Sequence, residues 1–187
     1  MKKGFTMIEL IFVIVILGIL AAVAVPRLAA TRDDAVLAGL KTDINTALQA
    51  VPAWFQGQRD ARIMQAIQLD TTTWNQPTAG TELYTWSDGG NTCVTLAVVD
   101  FNTTNPVSQF SIADSAANGE INATNGRWLA TAQGVPVLRL VRGTLANNGA
   151  VTAPVDPTVN CNTLWDAANG LGLVEANITM AGQRVQW

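Results

Sequence analysis

Hydrophobic residues are concentrated at the start of the 187-residue chain, where they form a continuous run. Between residues 5 and 25 every residue is apolar or small except one carboxylate, Glu9. A helix of roughly 20 such residues is long enough to cross the hydrocarbon core of a bilayer. Lys2 and Lys3 precede the run, and basic residues at this position favour a cytoplasmic N-terminus. We therefore predict a membrane-spanning helix over residues 5–26, with the rest of the chain exported.

The next stretch is periodic, and its apolar residues recur at the spacing of one helix face. They are Leu28, Val36, Leu40, Ile44, Ala47, Leu48 and Val51. A continuous helix over residues 5–51 would be about 70 Å long, and Pro52 is expected to end or bend it. Only its second half, 27–51, can be covered by a domain of the same chain. The apolar half must then be buried in lipid or against other copies.

The pattern after residue 80 predicts an antiparallel sheet, so the fold class is α+β. Short β-prone runs alternate with turn residues; they cover residues 83–86, 93–101, 109–112, 126–130, 135–141 and 171–180. Residues 87–91 are typical of a hairpin turn. Leu138 and Leu140 alternate with Arg139, which indicates one buried and one wet face. We expect a short helix over 58–69, irregular structure over 154–165, and packing of the apolar face on the helix stripe.

Glu9 lies inside an apolar helix, where an acid costs about 2.5 to 3.5 kcal/mol and usually has a partner. No basic residue lies between Lys3 and Arg27. Cleavage between Gly4 and Phe5 would create an α-amino cation at Phe5. That amine could pair with Glu9 of its own helix or with Glu9 of a staggered neighbour.

The first fifty residues resemble the N-terminus of type IV pilins and of the related type II secretion pseudopilins. The resemblance lies in Gly4 after two lysines, in the Phe5 to Glu9 motif that follows, and in the long apolar helix with Pro26. It implies that a prepilin peptidase cuts after Gly4 and N-methylates Phe5. It also implies that Glu9 guides docking into a filament, and that Gly18 and Pro26 bracket a helix segment able to lose its hydrogen bonds.

The resemblance further implies a ladle-shaped pilin fold. Residues 1–4 would be the leader, 5–26 the membrane and filament-core half of the helix, and 27–187 an exported domain whose sheet spans 81–187. The chain would be a structural subunit of a type IV pilus. Its partners would be other copies of itself, the peptidase and an inner-membrane assembly platform. It would reside in the inner membrane before assembly and in an extracellular pilus or periplasmic pseudopilus afterwards.

Four other interpretations compete with a pilin. A secretory signal peptide would fit the apolar run, with Ala22 to Ala24 as its cleavage site, but it leaves Gly4 and Glu9 unexplained. The chain could also be a simple membrane anchor, a pseudopilin of a short secretion filament, or an anchored periplasmic enzyme or binding domain. The calcium site of the major pseudopilin has no match in this sequence, which favours the pilin.

Composition argues against catalysis and against general nucleic-acid binding. The chain has no histidine, and without the leader nine basic residues face fourteen acidic ones, a net charge of about −5. The sequence shows no catalytic set, metal site or cofactor motif; Asp33 and Asp34 are interpreted as solvated helix surface. In an exported domain Cys93 and Cys161 most simply form one disulfide. The six tryptophans are interpreted as core and interface residues rather than as sugar or electron-transfer sites.

Three Asn-x-Thr motifs, at Asn102, Asn122 and Asn177, have an acidic residue two positions earlier. They resemble the extended sequon of bacterial N-linked oligosaccharyltransferases, which would then be a further partner. The simpler interpretation is that Asn and Thr are abundant in loops. If the sequons are used, Asn122 should be modified first, because its surroundings are the most loop-like, whereas Asn177 lies in an expected strand.

Overall fold

The computed structural model describes residues 5–101, 110–112, 135–146, 150–154, 157–168, 170–172 and 175–180. Within them the helices are α1 (Met7–Gln58), α2 (Ile63–Ala66) and α3 (Val159–Trp165). The strands are β1 (Leu83–Asp88), β2 (Asn91–Phe101), β3 (Phe110–Ile112), β4 (Val135–Arg142), β5 (Thr144–Leu145), β6 (Val151–Thr152) and β7 (Glu175–Thr179). This confirms the predicted α+β class; the strand expected over 126–130 lies outside the described residues. The chain divides into two compact units, Met1–Gly39 and Leu40–Trp187.

The buried side of α1 follows a seven-residue repeat. Leu37, Ile44 and Val51 recur every seven residues, with Leu40 and Ala47 between them, and all five are buried. This confirms Leu40, Ile44, Ala47 and Val51 of the predicted stripe; Leu48 is half-buried, and the side chain of Leu28 is not among those described. Val36 was expected on it but is 42% exposed. One residue rotates the side-chain direction by about 100° on a helix, so Leu37 occupies the centre of the stripe and Val36 lies beside it.

Pro52 was expected to end or bend the helix; it does not end it, because the helix continues to Gln58. Phe55, one turn after Val51, is also buried, so the apolar face extends beyond the proline. The helix stops where Arg59 takes a left-handed φ of 58°. The Arg59 N–H donates to the Phe55 carbonyl at 2.7 Å, which is the bond of a left-handed helix cap. The second helix, expected over 58–69, is therefore reduced to Ile63–Ala66.

The main sheet is antiparallel, with strands in the order β1-β2-β4-β7. Strand β3 pairs with the end of β2 that β1 does not reach. The predicted hairpin is present: Asp88 pairs with Asn91, and Gly89 and Gly90 between them both have positive φ. A two-residue turn of this kind needs positive φ at both positions, which glycine adopts without a steric penalty.

Both faces of the sheet are buried, so the prediction of one wet face was wrong. One face carries Val94, Leu96, Val98, Leu138 and Leu140, all fully buried. The opposite face has its own apolar cluster, formed by Leu83, Ala97, Val99, Val137, Val141 and Leu145. Leu145 belongs to the short β5–β6 ribbon, which the sequence pattern did not predict. Arg139 lies on this second face, where its ion pair with Glu175 makes its burial tolerable.

The segment around Cys161 is helical, whereas irregular structure was expected there. Thr158 caps α3, because its side chain accepts a hydrogen bond from the Cys161 N–H. The same hydroxyl donates to Asp88 Oδ2 at 2.6 Å. The Trp165 ring N–H donates to the Cys93 carbonyl at 2.8 Å. These bonds hold α3 against the β1–β2 hairpin from both of its ends.

Candidate functional site

The polar residues at the start of α1 bond to one another. Thr6 precedes the helix, and its backbone N–H donates to Glu9 Oε2 at 3.1 Å. The Thr6 hydroxyl donates to the same oxygen at 2.8 Å, and the Glu9 N–H donates back to Thr6 Oγ1 at 3.4 Å. This reciprocal pattern is a capping box, which satisfies amide groups that the first turn of a helix leaves unpaired.

Thr6 is a site residue that the sequence reasoning did not identify. The signal was present, since a Thr followed three residues later by Glu before an apolar run is the sequence pattern of a capping box. The Glu9 carboxylate therefore has a partner within its own first turn, beside the two amine partners considered from the sequence. The capping box provides hydrogen bonds to Oε2 of this carboxylate and leaves its negative charge without an opposite charge among the described residues. Gly4, the proposed cleavage position, lies outside the described residues, and Phe5 is 82% exposed.

The apolar segment of α1 has no cover within the described chain. Met7–Val25 is the one described segment long and apolar enough to cross a membrane, and none of it is buried. Gly18 lies within it, and a Cβ at Gly18 would meet no atom within 4 Å other than the neighbouring backbone of its own helix. Pro26 follows as a residue of the same helix. Such a large exposed apolar surface marks a region that contacts lipid or another protein.

The part of the chain that follows α1 has the disulfide expected from the two cysteines. Cys93 and Cys161 are bonded, 68 residues apart, with their Cα atoms at 5.1 Å. In the chain-entropy description, a disulfide that closes a loop of this length stabilises the folded state by about 4 kcal/mol, because it lowers the entropy of the unfolded chain. Three of the six tryptophans, Trp74, Trp86 and Trp165, are buried, as expected of core residues. Trp128 and Trp187 lie outside the described residues.

One of the three sequons lies in the described sheet. Asn177 is in the middle of β7, paired with Arg139 of β4. Its side-chain amide donates to Glu175 Oε1 at 2.9 Å, and Arg139 Nε donates to the same oxygen at 2.7 Å. The Asn177 Oδ1 atom is buried without a partner. The acid two residues before this asparagine therefore has a structural role; Asn102 and Asn122 lie outside the described residues.

Two buried carboxyl groups have raised pKa values. Burial raises the pKa of Glu82 to about 7, although its side chain accepts a hydrogen bond from the Ile63 N–H at 2.7 Å. Burial also raises the pKa of Asp100, in β2, to about 6, and its Oδ1 has no partner. Asp60 near Glu82 is paired with Arg62 at 2.9 Å. These groups hold backbone or lie inside the sheet, so their geometry fits a structural role better than substrate binding.

The described residues include no group of three or more side chains that could hold a metal ion. The cavity next to Trp74 and Tyr84 is small, about 240 Å³. The Trp74 ring N–H already donates to Asp43 at 3.1 Å. The start of α1 is therefore the strongest candidate for a functional site among the described residues.

Comparison with known proteins also identifies the region around the start of α1. Residues 1–25 match the family described as the prokaryotic N-terminal methylation motif. The chain therefore carries the class III prepilin motif of type IV pilins and pseudopilins. No curated protein and no solved structure matches the chain, so the comparison rests on these 25 residues.

Proposed function

We propose that this chain is a structural subunit of a type IV pilus. A prepilin peptidase would cut after Gly4 and methylate Phe5, and an assembly platform in the inner membrane would add the subunit to a filament. The observation that carries the proposal is the exposed apolar segment Met7–Val25, which lies within the methylation motif matched over residues 1–25. In a filament core, the apolar segments of neighbouring copies would pack together. Each segment would then be buried by other copies, since the described part of its own chain does not cover it.

Charge pairing would favour transfer of the subunit from the membrane into the filament. Apolar side chains gain little when they move from lipid to another helix, because lipid tails are equally apolar. The carboxylate of Glu9 is different, because its charge is costly in the bilayer. The amine of Phe5 on a neighbouring copy would neutralise it. Entry into the filament would then relieve an electrostatic penalty that membrane residence imposes.

The mature N-terminus tests the processing step. Mass spectrometry of the exported protein should find N-methylated Phe5 as its first residue. A chain that begins at Val25 would instead indicate a cleaved signal peptide and would overturn the proposal.

A Glu9→Gln variant tests the charge. Glutamine can still accept the hydrogen bonds of Thr6 but carries no charge, so the capping box survives. The variant should be cleaved and remain in the membrane, and should form about a hundredfold fewer filaments, as expected for losing about 2.5 to 3.5 kcal/mol of driving force. Thr6→Val is the matched control, because it removes the capping hydroxyl and keeps the charge. It should form filaments at near-parental levels, and the reverse result would assign Glu9 to capping alone.

Pseudopilins carry the same motif, and the two functions predict different phenotypes. A strain that lacks this chain should lose long surface filaments if the chain is a pilin. A secretion defect with surface filaments intact would identify it as a pseudopilin.

A further inference from the structure

A compact group of charges follows the apolar segment of α1. Arg27, Arg32, Asp33 and Asp34, here called the charge band, are all exposed. None of the four side chains has a hydrogen bond or an ion pair in the described part of the chain, unlike the bonded charges of Arg62 and Glu175. The band contains two positive and two negative groups, so it is electrically neutral and complementary to a second copy of itself.

The position of the band becomes important if the apolar segments pack together. Charges that directly follow a segment buried in a helix bundle are drawn into the edge of that bundle. An unpaired charge there is costly, whereas an opposite charge on the next helix compensates it.

The stagger proposed for Phe5 and Glu9 brings opposite charges of the band together. Four residues separate Phe5 from Glu9, which is about 6 Å along a helix and up to about 10 Å if Phe5 and Thr6 are extended. A neighbour displaced by this distance is shifted by four to six helical residues. Its Arg27 then lies level with a residue between Thr31 and Asp33. Any bend between residues 9 and 27 leaves this relation unchanged, provided that both copies share it.

Both arginines are well placed under the same displacement. Arg27 of the displaced copy would lie level with or slightly N-terminal to Asp33 and Asp34 of the other copy. Arg32 of the displaced copy would lie a few residues C-terminal to the same two aspartates. One displacement therefore satisfies the pair at the helix start and the pairs in the band.

We propose that Arg27 and Arg32 of one subunit pair with Asp33 and Asp34 of the adjacent subunit in the filament. The partner is a second copy of this chain, and the inference rests on the proposed pilus function. The band provides a second electrostatic contact, about twenty residues from the first, which fixes the same stagger.

Charge reversal tests the pairing. Arg27→Glu with Arg32→Glu makes the band entirely acidic, and Asp33→Arg with Asp34→Arg makes it entirely basic. Each double variant alone should reduce the number of filaments by at least about tenfold. Like charges that face each other cost several kcal/mol, and about 1.4 kcal/mol already corresponds to a factor of ten. Expressed together, the acidic and basic variants should form mixed filaments. The quadruple variant, which restores neutrality with exchanged signs, should also assemble.

Three controls separate assembly from earlier steps. Each variant should have a cleaved leader and a Cys93–Cys161 disulfide, which report processing and export. The parent chain must form filaments in the same strain; if it does not, the pilus function fails and not the band. Immunogold labelling with different epitope tags on the two variants identifies mixed filaments.

Two results would overturn the pairing. If either double variant assembles as well as the parent, the opposite charges do not face each other. If the acidic variant fails but the basic variant assembles normally, the arginines contact anionic lipid headgroups. Such headgroups attract arginine and do not require the aspartates. Failure of the two variants to assemble together, with both exported and cleaved, counts equally against it.

Discussion

At the scale of single residues, the environment of each carboxylate decides what it does. Glu9 accepts two hydrogen bonds from Thr6 through Oε2 in the first helical turn, yet its charge has no counterpart within the described chain. Glu82 is buried and holds the Ile63 N–H where the chain leaves α1. A count of acidic residues treats these side chains alike. Position in an apolar segment makes the first a candidate for assembly, and burial makes the second a pH-sensitive structural group.

The stability of the compact unit Leu40–Trp187 should fall as pH rises from about 4.5 to 7. Glu82 has an ordinary pKa of 4.5 and a folded-state pKa of about 7. Below pH 4.5 it is protonated in both states; between the two values only the unfolded state loses the proton, so folding becomes less favourable. The full loss is on the order of 3 kcal/mol, from 1.36 kcal/mol per pKa unit. Asp100, with a pKa raised to about 6, acts in the same direction.

Chemical unfolding at pH 4.5 and pH 8 measures this effect. Glu82→Gln should match the parent at pH 4.5 and exceed its free energy of unfolding at pH 8, because the amide never ionises. Asp100→Asn should add a separate, smaller gain at pH 8. A parent protein equally stable at both values would contradict the prediction.

At the scale of elements, local signals located the strands and helices, and packing set their extent. The hairpin at Gly89 and Gly90 was recognisable because few residues other than glycine tolerate two successive positive φ values. The extension of α1 through Pro52 was not, because burial of Phe55 outweighs the local cost of the proline. The Arg139 alternation was misleading for a related reason, since an ion pair with Glu175 lets a charged residue lie on a covered face.

Asn177 should be closed to glycosylation once the sheet has formed. Transfer of an oligosaccharide from a lipid pyrophosphate donor forms a bond to the side-chain nitrogen, which here donates to Glu175. The required acid is itself bonded to Arg139. An acid-requiring bacterial oligosaccharyltransferase should therefore modify Asn177 in the reduced, unfolded chain and leave it unmodified in the folded, oxidised protein.

Peptide mass spectrometry after reaction in vitro gives the occupancy of Asn177 in the two states. A synthetic peptide of residues 173–181 is the positive control for the enzyme. Equal occupancy in folded and unfolded protein would show that β7 opens readily, against the prediction.

At the scale of the whole molecule, the chain separates the surface that stabilises its own domain from the surface available to partners. The buried side chains of Leu40–Trp187 form apolar clusters with a disulfide inside the unit. Met7–Val25 contributes nothing to burial. In the proposed pilus, assembly and folding would therefore depend on different residues, and the domain could fold before the subunit enters a filament.

Removing residues 1–26 should give a soluble, monomeric domain that folds as well as the mature chain. The removed residues that the structure describes bury nothing, so no core contact is lost. Light scattering should give the monomer mass, and the thermal midpoint should match that of the mature chain in detergent. Ile44→Ala in the same fragment is the control for sensitivity and should cost about 2 to 5 kcal/mol. A truncated domain that fails to fold would show that the apolar segment supports it.

The sequence by itself determined the features that depend on neighbours along the chain. These are the uncovered apolar helix, the prepilin motif, the stripe around Ile44, the glycine hairpin and the α+β class. Tertiary structure alone decided the continuation of α1 past Pro52, the second covered face of the sheet, the capped helix at Cys161 and the structural use of Glu175. Each of these depends on residues far apart in sequence, whose mutual burial changes the free energy of a local conformation by more than its own propensity does.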